Sequence, residues 1–348
     1  LMEITSDSYA MAYRVGAELV DMEFVQFCTA LAHPELYKGI LAGEPAAHNA
    51  KLYNSRKERF MERYDPVNME RTTKDALCIA IAREAKAGRG TEHGGVWMDF
   101  SEATDDSLNI FPYPFKEMGI DHKKDWVEII PSSHYFMGGV KINEKCESNL
   151  PGLFAGGEAA GGLHGANRLA GCSTADSNVY GFRSGFYAAE YANKISKSKI
   201  DFEQVNDEKS RLTSIVQEKS KGLAPGVVKR SIQSVLWDDV GPLRNEAGLN
   251  NAIKRIEALK AKDIHEIQLR DKSKCYNNEL MEAIEIFNLI EYSEIIINAA
   301  LMRTETRGGH YREDFPDRDD KNWLKNILIK RDNGEMKIST LPVIKLEK

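Results

Sequence analysis

The chain has 348 residues, a net charge of −6 and 42% hydrophobic residues, the profile of a soluble globular protein of two or three domains. With no basic block or acidic tail, it is not built for nucleic acid or a membrane surface as its main partner. No apolar run reaches the ~18 residues of a membrane span, and the first residues lack the basic start and apolar core of a signal peptide.

In chain order, residues 9–17 read as a helix and 19–27 as a strand rich in Val and Phe. Residues 31–66 are polar and loop-like. Residues 69–86 read as a helix with Ala76, Leu77, Ile79, Ala80 and Ala82 on its apolar face, stopped at Gly88. Residues 95–100 are a strand after a glycine turn, and 101–125 a polar helix or loop. Strands are expected at 127–130, leading to Pro131, at 139–142 and at 153–155. Residues 178–192 then fit a helix, with Val179, Tyr180, Phe182 and Tyr187 on its packed face. From about residue 203 the chain turns charged and helical. The clearest element is 279–303, where Leu280, Ala283, Ile284, Phe287, Ile290 and Ile297 keep helical spacing and Gly308 closes the run. A tail rich in Arg and Asp follows, then a strand-like end, MKISTLPVIKL. There is no internal repeat.

The five cysteines, Cys28, Cys78, Cys146, Cys172 and Cys275, are scattered and form no CxxC pair, which reads as reduced thiols in a cytoplasmic setting. The eight His show no HxH or HExxH spacing. No metal is therefore expected in this chain, nor an iron–sulfur cluster, which needs grouped cysteines.

Three stretches combine glycine with isolated polar residues. LPGLFAGGEAAGG (150–162) runs from an apolar piece into paired glycines and Glu158. Such a turn lets backbone N–H groups approach a phosphate or ring, with the carboxylate on a ribose; a tight turn with a solvated Glu is the plainer alternative. No strict GxGxxG occurs. PSSHYFMGGV (131–140) sets His134 before a glycine pair, either a core histidine or a ligand-facing one. GRGTEHGGVWMDF (88–100) carries Arg89 in a glycine-flanked loop, either a solvated charge or a fork for a carboxylate.

Taken together and in order, these stretches resemble the flavoprotein subunit of the succinate dehydrogenase / fumarate reductase family, which includes L-aspartate oxidase. The resemblance also rests on SDSYAMAYRVGAELVDMEFVQF, LYNSRKERFMERYDP, GLHGANRLAGCSTAD and TETRGGHYREDFPDRDDKNWLKNILIKRDNGEMKISTLP, and spans nearly the whole chain. It implies an α/β, Rossmann-like flavin-binding domain, here partial, with an inserted α+β capping domain, followed by an α-helical C-terminal domain. The implied boundaries are 1–27 and 133–202 for the flavin domain, 28–132 for the cap, 203–307 for the helical domain and 308–348 for the C-terminal segment.

The resemblance implies FAD as cofactor, with Asp7, Glu158, Ser173 and Thr174 as its contacts. It implies a dicarboxylate-like substrate held by His134 and Arg168, a proton moved by Arg89, and a relay through Glu44 and Arg71. An electron-transfer partner, an iron–sulfur subunit, is implied as well, with attachment at the inner face of a membrane through partner subunits as one option. The chemistry is consistent. Hydride leaves or reaches flavin N5 while a proton meets the other carbon, and cationic donors on the carboxylate stabilise the developing charge. Arginine is a poor acid in water and needs a relay and a closed site to serve.

The chain also departs from the family pattern. QFCTA places Cys28 where the family has a substrate-touching His, with His33-Pro34 as a nearby substitute, and Gly43 replaces a Thr before the relay Glu44. The substrate is then expected to differ from succinate or fumarate at the cap end. The GxGxxG portion is not in this sequence, so the chain by itself is expected to hold FAD loosely. The alternatives are an L-aspartate-oxidase-like or other flavin dehydrogenase, and a truncated, non-catalytic docking piece.

Overall fold

The computed structural model describes residues 6–32, 45–110, 115, 118–196, 200–216, 222–273 and 275–344. Its elements begin with α1 (Asp7–Arg14), β1 (Leu19–Val20), β2 (Val25–Leu31), β3 (Lys51–Tyr53), α2 (Met61–Tyr64), α3 (Lys74–Glu84) and β4 (Val96–Asp99). Next come α4 (Asp105–Ile110), β5 (Val127–Phe136), β6 (Gly139–Lys141), β7 (Ala160–Gly161), α5 (Cys172–Ala192) and α6 (Phe202–Val216). The chain continues with α7 (Pro225–Val240), α8 (Glu246–Ala261), α9 (Asn278–Met302), α10 (Asp320–Trp323), β8 (Lys325–Asp332) and β9 (Glu335–Pro342). Of the described residues, 25–135 form one compact unit, and 6–24 with 136–344 form the other.

The first unit is built on a sheet of order β2-β5-β4-β3. In β4 and the first half of β5 alternate residues are buried, so Val96, Met98, Val127 and Ile129 enter the core. The α3 residues Leu77, Cys78, Ala80, Ile81 and Glu84 are buried, the spacing of one helical face. Leu77, Ala80 and Ile81 join Leu52, Phe60, Met61 and Phe100 in the core.

Two expectations are corrected here. The helix expected over 69–86 begins only at Lys74: Met69–Arg71 is a separate turn, and Met69 has φ +52°. The cause is tertiary. Buried Glu70 accepts the Leu52 N–H at 3.0 Å and takes a forked pair from Arg59 at 3.0 and 2.7 Å, which ties this turn to β3. The strand expected to stop before Pro131 runs through it to Phe136. Pairing with β4 ends at Ile129, so the missing proline N–H breaks no ladder bond on that side.

The second unit holds a mixed sheet of order β7-β6-β1-β8-β9, in which β6 and β7 are parallel and the other pairs antiparallel. The strand expected over 19–27 breaks at Asp21 (φ +58°). Asp21 donates its N–H to Ile327 O and accepts Asn326 Nδ2 at 2.6 Å, so β1 ends on β8. In place of the strand expected at 153–155 there is a single bridge from Phe154 to Glu147; the pairing strand is β7, where Ala160 faces Val140.

The helical part follows the sequence periodicity closely. Pro225 opens α7, while Asn245 and Asn277 cap α8 and α9 by accepting N–H bonds at 2.9 Å from Gly248 and Leu280. The α9 helix buries residues along its length, from Ala283 and Ile286 to Ala299 and Ala300, and both α7 and α8 pack on it. In α5 half of the expected face is wrong: Phe182 is 75% exposed and Val179 52%, whereas Tyr180 and Tyr187 are half-buried. The side that packs carries Tyr180 and Arg183, which meet Cys146 and Glu144, and Tyr191, whose ring lies 6.0 Å from Phe154.

Candidate functional site

In the second unit the candidate residues cluster on the stretch between β6 and α5. The glycines there do two different jobs. Gly139 and Gly161 are needed for strand contact: a Cβ on Gly161 would lie 2.4 Å from Gly139 N, and one on Gly139 would lie 2.6 Å from Ala159 O. Gly165 (φ +59°) and Gly171 (φ +79°) have no atom within 4 Å of a built Cβ. Their backbone is left-handed and open to a ligand.

Glu158 is half-buried between these groups. Its Oε1 accepts the Phe136 N–H at 3.0 Å, and its own carbonyl accepts the Tyr9 hydroxyl at 2.7 Å. Burial pushes its carboxyl up, while the Phe136 N–H and then Arg168 pull the other way. Arg168 is 5% exposed and donates Nη1 to Leu169 O at 3.1 Å. His164 Nε2 lies 3.2 Å from Asp176 Oδ2, a pair that ties this loop to the first turns of α5. Ser173 is half-buried and Thr174 exposed in the first turn of α5, where left-handed Gly171 is the N-cap. Asp7 opens α1 and accepts a hydrogen bond from Asn288. The loop is also braced from the C-terminal side: Gly309 donates its N–H to Ala166 O at 2.9 Å, and a Cβ on Gly308 would lie 2.2 Å from that oxygen.

In the first unit, Arg89 is not a solvated charge. The α3 helix ends in a π turn, Ala85–Arg89, with Gly88 at φ +69°. That turn brings Arg89 back onto Glu84, with Nε to Oε2 and Nη2 to Oε1 both at 2.8 Å. Glu84 also accepts from Asn54 at 2.8 Å, Tyr64 at 2.7 Å and Arg63 at 3.2 Å. Burial alone would raise its carboxyl. The bonds from Arg89, Asn54 and Tyr64 outweigh it and bring the group to about 2. The same carboxylate holds the Arg89 guanidinium above its usual range. His134 is half-buried on β5, and Cys28 is 9% exposed on β2, whose residues are all buried. Arg71 is exposed, at the end of the turn that carries Glu70. Glu44, Gly43, His33 and Pro34 lie outside the described residues.

A family model described as "FAD binding domain" matches residues 1–174, and one described as "Fumarate reductase flavoprotein C-term" matches residues 229–347. The chain belongs to the family of succinate dehydrogenase and fumarate reductase flavoprotein subunits. It is 37% identical over 336 residues to one subunit of the fumarate reductase (CoM/CoB) of Methanothermobacter marburgensis, covering 95% of this chain and 60% of that protein. It is 31% identical over 361 residues to the succinate dehydrogenase flavoprotein subunit of Rickettsia conorii, covering 97% of this chain and 60% of that one. A solved variant of E. coli quinol fumarate reductase FrdA superposes with a TM-score of 0.87 at 28% identity, over 99% of this chain and 63% of that chain. The chain thus spans about three fifths of the length of the curated relatives it matches. The fold class expected from the resemblance holds, with its α/β flavin-binding part and helical C-terminal domain. The cofactor of this family is FAD. The residues present fit it: the open left-handed backbone at Gly165 and Gly171 offers a surface a Cβ would obstruct, and Glu158 bonds the chain through one oxygen, leaving the other for a donor. No helix among the described residues is long and apolar enough to cross a membrane.

Sequence reasoning missed a second set of residues. In the second unit Arg244, Arg303 and Arg312 are all fully buried. Arg303 bonds Glu23 at 2.7 Å and Glu305 at 2.9 Å, with Phe24 and Trp323 stacked at 4.8 and 5.3 Å. Arg244 bonds Glu23 O at 2.7 Å and His310 Nδ1 at 2.9 Å. Burial and the neighbouring Arg244 and Arg303 keep His310 well below its usual range, so it stays neutral. By composition TETRGGHYRED reads as a charged tail. The density of arginine around one histidine and two glycines is the signal that it is not.

Proposed function

We propose that the protein of which this chain forms part is an FAD-dependent oxidoreductase acting on a dicarboxylate-like substrate. When bound, FAD supplies hydride exchange at N5. In this reading Glu158, Asp7 and the first turn of α5 at Ser173 and Thr174 hold the cofactor. Arg168 and His134 hold the substrate carboxylates, and Arg89 moves the proton. The observation that carries the reading is the burial of the Arg168 guanidinium in the loop that also carries open Gly165 and Gly171. A buried guanidinium suits a bidentate carboxylate ligand and gains strength from the low dielectric. The names of the relatives, fumarate reductase and succinate dehydrogenase, agree with it, and an iron–sulfur subunit is proposed as the electron partner.

The test is fumarate reduction by a reduced viologen, and succinate oxidation by a dye, in the holoenzyme. Arg168→Gln should lower kcat/KM by about 10²–10³-fold with FAD absorbance unchanged. Full activity in that variant sinks the assignment. A second reading, a substrate altered at one end, is favoured by Cys28, which stands where the family carries a histidine and is buried in β2. Turnover of L-aspartate or another dicarboxylate in preference to fumarate would establish it.

A further inference from the structure

We propose that the cavity between α1, α8, α9 and the β8–β9 hairpin is a binding site for a free amino acid with an apolar side chain. It lies wholly in the second unit and shares no residue with the groups assigned above to cofactor and substrate.

The cavity holds about 350 Å³, within the range of about 300–1,000 Å³ for small-molecule sites. Its apolar part is made by Ile256 and Ile297, both buried, with Met336 and Ile338 of β9 beside them. The hairpin turn at its edge, Asn333-Gly334, is left-handed at both residues (φ +50° and +85°), the two-residue turn that a twisted hairpin favours.

The charged groups on the rim are matched except for two. Lys260 Nζ holds both oxygens of Glu294, at 2.7 and 2.9 Å. Glu291 is neutralised by Arg14, whose Nε bonds its Oε2 at 2.7 Å. Arg331 Nη1 stands 3.7 Å from Glu291 Oε1, beyond hydrogen-bond reach. Glu257 is exposed and forms no ion pair among the described residues. Between them lies Tyr13, only 6% exposed, whose hydroxyl has no hydrogen bond among the described residues. Burial pushes its phenol up; Arg331 draws it back, and Glu294 and Glu291 raise it further. The hydroxyl therefore faces the charged rim of the cavity. A buried hydroxyl without a partner is unfavourable, and a ligand that bonds it removes that cost.

Two unmatched groups of opposite sign select a zwitterion. A plain carboxylate would meet Arg331 and Tyr13 but also the three glutamates. A plain amine would meet Glu257 but also Arg331 and Lys260. An amino acid satisfies both ends: its carboxylate goes to Arg331 and the Tyr13 hydroxyl, and its ammonium to Glu257. Asn298 donates Nδ2 to Glu294 O at 2.8 Å, which leaves its Oδ1 as a second acceptor for the ammonium. The isoleucines and Met336 take the apolar side chain.

The test is calorimetric titration of the holoenzyme with L-leucine and L-phenylalanine. At least one should bind with Kd near or below about 1 mM and raise Tm in proportion to its occupancy. Isocaproate, which lacks the ammonium, and isoamylamine, which lacks the carboxylate, should each bind at least about tenfold more weakly than leucine. Arg331→Gln and Tyr13→Phe should each weaken the amino acid about tenfold, and Glu257→Gln, at an exposed group, about threefold. Saturating succinate should leave the affinity unchanged. Absence of binding up to about 10 mM of either amino acid would overturn the site. Equal affinity for the acid or the amine alone would overturn the zwitterion, and displacement by succinate would move the ligand to the dicarboxylate site. Full affinity in Arg331→Gln would refute the assignment even if Tyr13→Phe failed to fold, because the Arg331 side chain is 39% exposed and its replacement leaves the core intact.

Discussion

Replacing Gly308 with alanine is the sharpest perturbation of the flavin-side loop that touches none of the proposed site residues. Gly308 has φ +53°, a left-handed conformation that costs an L-residue about 1–2 kcal/mol. Its added Cβ would lie 2.2 Å from Ala166 O, 2.5 Å from the Ala166 carbonyl carbon and 2.8 Å from its Cβ. Ordinary contact lies near 3.5 Å, and two of those three atoms are backbone, so the loop must shift by about 1 Å. Overpacking of that kind costs roughly 1–3 kcal/mol. The sum is about 2–5 kcal/mol, a fall in Tm of roughly 5–15 °C. The displaced Ala166 is two residues from Arg168, and a misplacement of about 1 Å at a site costs about 10²-fold in rate. Thermal unfolding followed by flavin or tryptophan fluorescence gives the first number, and kcat/KM gives the second. A Gly308→Ala protein with a Tm within about 1 °C of wild type and normal kcat/KM would refute the argument that this turn braces the loop.

Other outcomes follow from the buried charges. Arg303→Met leaves the Glu23 carboxylate without its guanidinium in the core, and urea unfolding should show a loss of about 3–5 kcal/mol. Combining it with Glu23→Gln should recover part of that loss, and full additivity of the two would contradict the pairing. Asp21 is pushed up to about 7 by burial, then by the Glu23 charge. Its folded value lies above its unfolded one, so the wild type loses stability as pH rises from about 4 to about 7. Asp21→Asn keeps an acceptor for Asn326 and suits the positive φ. It should be more stable than wild type by on the order of 2–4 kcal/mol at pH 8, with the gap closing toward pH 4; a gap independent of pH would refute the cause.

Where local rules suffice, the structure was legible in the sequence. Helix α9 could be read from the spacing of Ala283, Ile290 and Ile297, all three of them buried, although in its second half burial runs nearly all round the helix, beyond the single face the spacing implies. Glu158, Arg168 and Arg89 stood out because polar residues set in glycine are rare without a reason. The break before α3 was hidden, because it depends on Glu70 meeting Arg59 and Leu52. Glu84 was hidden for a related reason. Sequence spacing assumes 3.6 residues per turn, and the pairing with Arg89 uses a π turn. The face of α5 was misjudged because Val179 and Phe182 are apolar yet exposed, which no periodicity reveals.

The buried arginines also bear on the order in which the protein can be made. Glu23 waits for Arg303, 280 residues later, and for Arg244, 221 residues later. Residues 25–135 form a continuous unit and can condense while the ribosome is still extending the chain. The unit holding α1 and β1 cannot. Its N-terminal segment leaves the ribosome with Glu23 solvated, and its core closes only when the final third of the chain arrives with the counterions.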